Sequence, residues 1–333
     1  MSNQQHQPYR SFFWPVITLG AGVIWLLTNL GMISTENLWI LIQLWPILLI
    51  IIGLDVLFAR RLPLVGALLA LLTVGAVVFV LLEGGSLALS EKPEPRTETF
   101  VVSAEDVEAA RFNLDLTAQP ADVSGRQNSE LLIDAEIGHF GNVEMIVAGG
   151  ADKEVTLEQR GMVSWLVWLL PEAHQELVWD IGLSTEVPFE LNVNGSTGVA
   201  NFDLSEVQLE AFYLDGSTGA STIVFPASQE GYQARVDAST GEIRIVLPAE
   251  GNLTLRLDGS TGQITLDVPE GAAFRLEVQN GGTGDVIRPD WMMKVEGQPD
   301  RDEGVYQTQG FDAAEYQLTV IMEDLSTGNL VIE

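Results

Sequence analysis

The chain has no cysteine in 333 residues. Disulfides, thiol catalysis and cysteine metal sites are therefore excluded, and the redox compartment stays open. Histidine is scarce: His6, His139 and His174 are scattered, without zinc-ligand spacing. Positive charge is scarce too, with 16 Lys and Arg against 46 Asp and Glu, a formal charge of −30. Such a surface repels phosphate backbones and anionic headgroups, so nucleic acid is not an expected partner. The first 90 residues nearly lack charge altogether. They hold Arg10, Arg60, Arg61, Glu36, Asp55 and Glu83, leaving 13 of the 16 basic and 43 of the 46 acidic residues to the rest.

That uncharged part consists of three apolar runs, at 12–33, 38–58 and 62–82. Each has about 20 residues, enough at about 1.5 Å per residue to cross a hydrocarbon core of about 30 Å. Trp14, Trp25, Trp39 and Trp45 suit the membrane interface or helix packing. Two further runs follow the first, and no small-residue cleavage site follows it, so a removed signal peptide is not expected. Arg10 precedes the first run and Arg60-Arg61 follow the second, while the loop Ser34–Asn37 has no basic residue. The positive-inside rule then puts residues 1–11 in the cytoplasm and everything after the third run outside. The expected anchor is a multi-pass region at 12–89 in the cell membrane, with the bilayer as its first partner. Asp55 interrupts the second run. An ionisable group at membrane depth is a functional candidate, although Arg60 and the headgroups are near enough in sequence to satisfy it. Gly20, Gly22, Gly66 and Ala70 are small enough to let helices approach closely.

Residues 90–99, SEKPEPRTET, read as a short extended linker. From Phe100 to Glu333 the pattern is β. Ser-Thr-Gly recurs at 196–198, 217–219, 239–241, 260–262 and 326–328, with Gly-Thr-Gly at 282–284. Successive central threonines are 21, 22, 21, 22 and 44 residues apart, the last being two periods. A fixed period of this size marks a stacked repeat. Apolar residues alternate after each motif (Ala200, Phe202 and Leu204; Ile243, Ile245 and Leu247) and before it (Leu191 and Val193; Leu255 and Leu257). Period two gives one inward face per strand. The unit is therefore strand, Ser-Thr-Gly turn, strand, second turn, and the fold class is three N-terminal transmembrane α-helices followed by an all-β solenoid of about 21–22-residue repeats. Gly198, Gly219, Gly241, Gly262, Gly284 and Gly328 are the structural turn residues, chosen for positive φ. The hydroxyls beside them are expected to form ladders between rungs.

The run Asp-Gly-Ser-Thr-Gly looks like fragments of aspartic-protease and phosphate-binding loops. Such loops occur once or twice per site, whereas this one returns at a constant period with a variable acidic position. Neither an enzyme nor a cofactor is expected. Rows of carboxylates suggest Ca²⁺, but the β-roll nonapeptide and the EF-hand loop are both missing. The apolar stretch 161–173, GMVSWLVWLLPEA, is too short to span a bilayer. It reads as cover for the solenoid end or as a patch where Trp165 and Trp168 meet a membrane or partner. The stretch 288–310 breaks the repeat and reads as a long loop anchored by Trp291, a further candidate contact.

FFWPVITLGAGVIWLLTNLGMI and LWPILLIIIGLDVLF each open an apolar, glycine-bearing run with aromatic residues and Pro. With the Ser-Thr-Gly ladder and the terminal GVYQTQGFDAAEYQLTVIMEDLSTGNLVIE, this order of parts resembles the LiaF-like envelope-stress proteins of bacteria, in which a LiaI/LiaF-type transmembrane region precedes a toast-rack, adhesin-like β-repeat domain. The resemblance implies a non-enzymatic scaffold or regulator with a membrane sensor kinase or other membrane protein as partner, and self-association as a further option. Three runs instead place the repeat domain outside, where an adhesin-like module that binds glycan or surface polymer is the alternative reading. No residue-level site carries over.

Overall fold

The computed structural model describes residues 13–33, 44–58, 63–83, 95–116, 120–127, 130–160, 177–196, 198–217, 219–299 and 301–333. They form two compact units, one within Met1–Glu94 and the other within Pro95–Glu333.

The first unit is helical: α1 (Phe13–Asn29), α2 (Trp45–Phe58) and α3 (Pro63–Glu83). The first apolar run is not helical to its end. Gly31 turns left-handed at φ 72°. Its N–H donates to the Thr28 carbonyl and that of Met32 to the Leu27 carbonyl, both at 3.0 Å. This paired closure satisfies the last carbonyls and stops the helix at Asn29. α1 packs on α3, as does α2. A Cβ on Gly20 would lie 2.4 Å from Val74 Cγ2, so glycine is what permits the α1–α3 approach, whereas Gly22 faces open space. Thr18, Thr28 and Thr73 donate their hydroxyls to carbonyls four residues back, at 2.7–2.9 Å. Among the described residues no helix is long and apolar enough to cross a membrane. Three full crossings are therefore an expectation from the sequence that the structure does not support.

The second unit is a solenoid-like stack of mostly parallel strands. One sheet holds β2 (Ala109–Asp115), β6 (Asp152–Arg160), β8 (Phe189–Ser196), β10 (Leu209–Ser217), β14 (Phe274–Val278) and β18 (Leu318–Asp324). The other holds β3 (Ala121–Arg126), β7 (Trp179–Ser184), β9 (Ala200–Asp203), β11 (Ala220–Val224), β15 (Val286–Ile287) and β19 (Asn329–Ile332). β12 (Tyr232–Val246) and β13 (Leu253–Asp267) are 15 residues each and run through both sheets. The two halves of each rung enclose one apolar core. Leu191, Phe212, Ala234, Leu255, Val320 and Leu276 share one inward column by register, and Phe202, Ile223, Ile245, Leu266 and Ile332 another. All are buried. The alternation legible in the sequence is thus the core. Phe202, Phe212 and Phe225 form an edge-to-face chain inside it, at 5.9 and 5.5 Å between centroids.

The order of the rungs departs from the sequence at both ends. β18/β19 pairs with β13 on one side and with β14/β15 on the other. The final Ser-Thr-Gly rung therefore lies inside the stack and is not two periods beyond Thr283. Likewise β2/β3 lies between β6/β7 and β8/β9. Antiparallel strands cover the ends: β5 (Asn142–Gly149) on β6, β4 (Leu131–His139) on β7, β1 (Arg96–Ser103) on β4, and β17 (Gly304–Gln307) with β16 (Met293–Glu296) on β14. Covering the end rungs protects what would otherwise be open edges.

Candidate functional site

The Ser-Thr-Gly motif is a bend and not a chain break in two of the rungs. β12 and β13 stay paired across it, Thr240 with Thr261 and Gly241 with Gly262. Gly241 and Gly262 have φ of 140° and 130°. A stronger constraint is space. A Cβ on Gly241 would lie 2.0 Å from the Gly219 carbonyl oxygen, and one on Gly262 1.9 Å from that of Gly241. One on Gly284 would meet the Gly328 carbonyl oxygen, and one on Gly328 would lie 2.8 Å from that of Gly262. Gly219, Gly241, Gly262, Gly328 and Gly284 thus stack as a column in which each backbone occupies its neighbour's side-chain position. Gly284 and Gly328 do not have positive φ, while Gly195 and Gly216, one residue before the motif, do. Gly198 follows residue 197, which lies outside the described residues. The hydroxyl ladder is partial among the described residues: Thr261 Oγ1 and Thr327 Oγ1 are 3.3 Å apart, and Thr283 Oγ1 donates to the Ser326 carbonyl.

Outward positions of the first sheet form straight rows, because parallel register repeats at every rung. One row reads Glu158, Asp115, Asn194, Asp215, Asp237, Asp258, Asp324. Rungs are about 4.8 Å apart, so like charges face each other directly. The Asp237 carboxyl is raised above its ordinary value, by burial first and then by Asp258 and Asp215. Two residues back, a second row reads Thr156, Asn113, Asn192, Tyr213, Arg235, Arg256. Glu323 bridges Arg235 and Arg256 at 3.0 and 2.9 Å and is held below the usual carboxylate range, first by the Arg256 hydrogen bond. A third row includes Arg111 and Glu190, paired at 3.1 Å.

Where the second row changes from arginine to Tyr213, Asn192 and Asn113, the surface dips into a groove of about 440 Å³. Asn113, Asp115, Thr156, Glu158, Asn192, Asn194, Tyr213 and Asp215 line it. Its amides are pre-set. Asn192 Nδ2 donates to Asn113 Oδ1 at 3.0 Å and to Glu190 at 3.1 Å, and Asn113 Nδ2 donates to Glu154 at 2.8 Å. Sequence reading missed this groove because its residues come from four strands distant in sequence, and only the stacking order joins them. No cluster of three or more candidate metal-ligating side chains occurs among the described residues.

The other candidates lie apart. Trp291 is exposed and does not anchor the 288–310 segment. Met292 and Tyr306 are buried there instead, and the segment forms the β16–β17 cap, not a free loop. Tyr306 donates its hydroxyl to the Asp302 carbonyl at 2.9 Å. Asp55 belongs to α2, but its side chain lies outside the described residues, as do Trp165 and Trp168 with the whole 161–173 stretch. His139 is fully buried on β4 with its Nε2 3.6 Å from Glu98 Oε1, and among the described residues neither of its ring nitrogens nor Trp179 Nε1 has a hydrogen-bond partner.

A family model described as the LiaI-LiaF-like transmembrane region matches residues 12–57, and one described as the N-terminal domain of toast_rack matches residues 90–246. No curated protein matches the chain. Among solved structures, a candidate cell-adhesion protein from Clostridium sporogenes is similar at 16% identity and a TM-score of 0.46, over 72% of this chain and 99% of that one. A candidate adhesin from Bacteroides fragilis is similar at 10% identity and a TM-score of 0.25, over the same shares. Neither likeness bears on function at these values. The two family matches fall on the first two apolar runs and on the rungs up to residue 246, so the chain is similar in layout to LiaF-like proteins: a stretch matching the LiaI-LiaF-like transmembrane region followed by one matching the N-terminal domain of toast_rack.

Proposed function

We propose that this protein is a non-enzymatic, membrane-anchored scaffold or regulator of the bacterial envelope-stress response. The observation that carries the reading is the joining, in one chain, of a LiaI-LiaF-like transmembrane region to a toast-rack domain. In this reading the runs at 12–33, 38–58 and 62–82 cross the bilayer and engage a membrane partner such as a sensor kinase. The acidic rack stands outside the cytoplasm, as the Arg10 and Arg60-Arg61 flanks favour. The decisive experiment captures the full chain from membranes after in-cell crosslinking. Recovery of a sensor kinase, lost when residues 12–83 are replaced by an unrelated anchor, is the expected result. Capture that survives the replacement would overturn the role of the helices. Protease added to intact spheroplasts should cut the rack, and full protection would reverse the orientation. Binding of a surface polymer by the rack is the second reading, favoured by the groove on its outward face.

A further inference from the structure

The glycine column and the acidic row do not account for the groove at the N-terminal rungs. Its hydrogen-bonding inventory is lopsided. Both Nδ2 hydrogens of Asn192 are taken up by Asn113 and Glu190, which leaves its Oδ1 as an acceptor. Asn113 Nδ2 is likewise occupied by Glu154 and Thr156. Glu158 is partly neutralised by Arg160 at 2.6 Å. The side chains of Asp115, Asn194, Asp215 and Tyr213 have no hydrogen-bond partner among the described residues. The groove thus presents acceptors at several points, free donors from the Asn194 amide and the Tyr213 hydroxyl, and one exposed aromatic ring.

A ligand that fits must bring many hydroxyl or N–H donors and carry no negative charge. It must also offer an apolar C–H face to the Tyr213 ring. An anionic polymer is excluded by the carboxylates within the groove and by the net charge of −30. A metal ion is disfavoured because the carboxylates are spread along separate rungs and do not converge. An uncharged sugar brings both the hydroxyl donors and the apolar C–H face for the Tyr213 ring, so it is the ligand class that uses both features of the groove. A volume of about 440 Å³ falls within the ordinary range for ligand sites, about 300–1,000 Å³.

We propose that the groove across β6, β2, β8 and β10 binds an uncharged oligosaccharide, with Tyr213 stacked against a sugar ring and Asp115, Asn192, Asn194 and Asp215 accepting its hydroxyls. Adjacent acceptors repeat at the rung spacing of about 4.8 Å, so neighbouring rungs reach different hydroxyls of one ring or of two linked rings. The amide chain from Asn192 through Asn113 to Thr156 holds the Asn192 acceptor in place before the ligand arrives, which limits part of the ordering cost of binding. This inference deepens the polymer-binding reading and does not depend on a kinase partner.

The test uses the full chain in nanodiscs, free of glycoside detergents, titrated calorimetrically with chitotetraose, tetralysine and a glycerol-phosphate polymer. Chitotetraose should bind with an affinity that barely changes between about 50 and 500 mM salt, since no charge pair forms. Tyr213→Ala and Asp215→Asn should each weaken binding about tenfold or more while thermal stability is kept, and Gln233→Ala on the same face should leave it unchanged. No heat with chitotetraose, tighter binding of either charged probe, or unchanged affinity in both groove variants would each overturn the proposal. Loss of kinase capture with chitotetraose binding intact would sink the regulatory reading alone.

Discussion

Replacing Gly262 with alanine tests whether the glycine column exists for close stacking and not merely for backbone freedom. The added Cβ would lie 1.9 Å from the Gly241 carbonyl oxygen, 1.5 Å short of an ordinary contact of 3.4 Å. Retreat the other way is limited, because the Gly328 rung packs there so closely that a Cβ on Gly328 would lie 2.8 Å from the Gly262 carbonyl oxygen. Relief means parting two rungs whose spacing is about 4.8 Å and losing two or three ladder hydrogen bonds, at about 1 kcal/mol each. The φ of 130° adds about 1–3 kcal/mol for any residue with a side chain. The expected loss is about 3–6 kcal/mol, a large share of a typical domain's stability of about 5–15 kcal/mol. At about 2–4 °C per kcal/mol, the melting temperature of the full chain should fall by about 6–24 °C. Two controls separate the causes. Gly271 has φ of 82° but nothing within 4 Å of its Cβ position, so Gly271→Ala should cost only about 1–2 kcal/mol. Gly150 has neither constraint and should tolerate alanine. The measurement is thermal unfolding followed by tryptophan fluorescence. A Gly262→Ala loss no larger than that of Gly271→Ala would refute the stacking argument.

Three further outcomes follow from the same geometry. Asp237→Asn should stabilise the rack at pH 7 by a few tenths to about 1 kcal/mol, because Asp215 and Asp258 face it from both sides. Its folded-state pKa is raised, so the folded form holds the proton more tightly. The carboxyl therefore favours folding at acid pH, and that contribution is lost as pH rises through the folded value. The variant's advantage should accordingly shrink to nothing below the carboxylate range, as read by chemical denaturation across pH. Tyr232→Phe removes the hydroxyl that donates to the Pro226 carbonyl at 2.9 Å and should cost about 1–2 kcal/mol by the same assay. Phe212→Ala, at the centre of the edge-to-face chain, should cost about 3–5 kcal/mol, and a loss under 1 kcal/mol would contradict the packing.

The period and the inward face were legible because both are local: Phe202, Ile223, Ile245 and Leu266 recur at near-constant spacing, and burial follows alternation. The corners were legible as positions but only partly as physics. Positive φ holds for Gly241 and Gly262, whereas Gly284 is glycine because of the rung beside it. A contact between rungs leaves no mark in a single-chain pattern except the glycine itself. The insertion of β18/β19 beside β13 was illegible for a related reason. Thr319 and Arg275 offer equivalent strand partners to their neighbours, and nothing local states which rung lies next to Thr254. The groove inherits that limit, since Tyr213, Asn192, Asn113 and Thr156 become one row only after the stacking order is known. Trp291 misled for the opposite reason. Its size suggested an anchor, but the adjacent Met292 takes the inward position.

The interior seat of β18/β19 constrains how the rack is made. A stack filled strictly in order of synthesis would leave β14/β15 against β13, with its ladder groups already committed. The later strands must instead find that gap open, so β14 through β17 wait, or swing aside, until β18 emerges. Closure joins residues such as Leu255 and Val320 across a long stretch of chain, which makes it slow. It also means that repeats duplicated in the middle of the coding sequence lengthen the stack, whereas repeats appended after β19 find both of its sides already paired, with β13 and with β15.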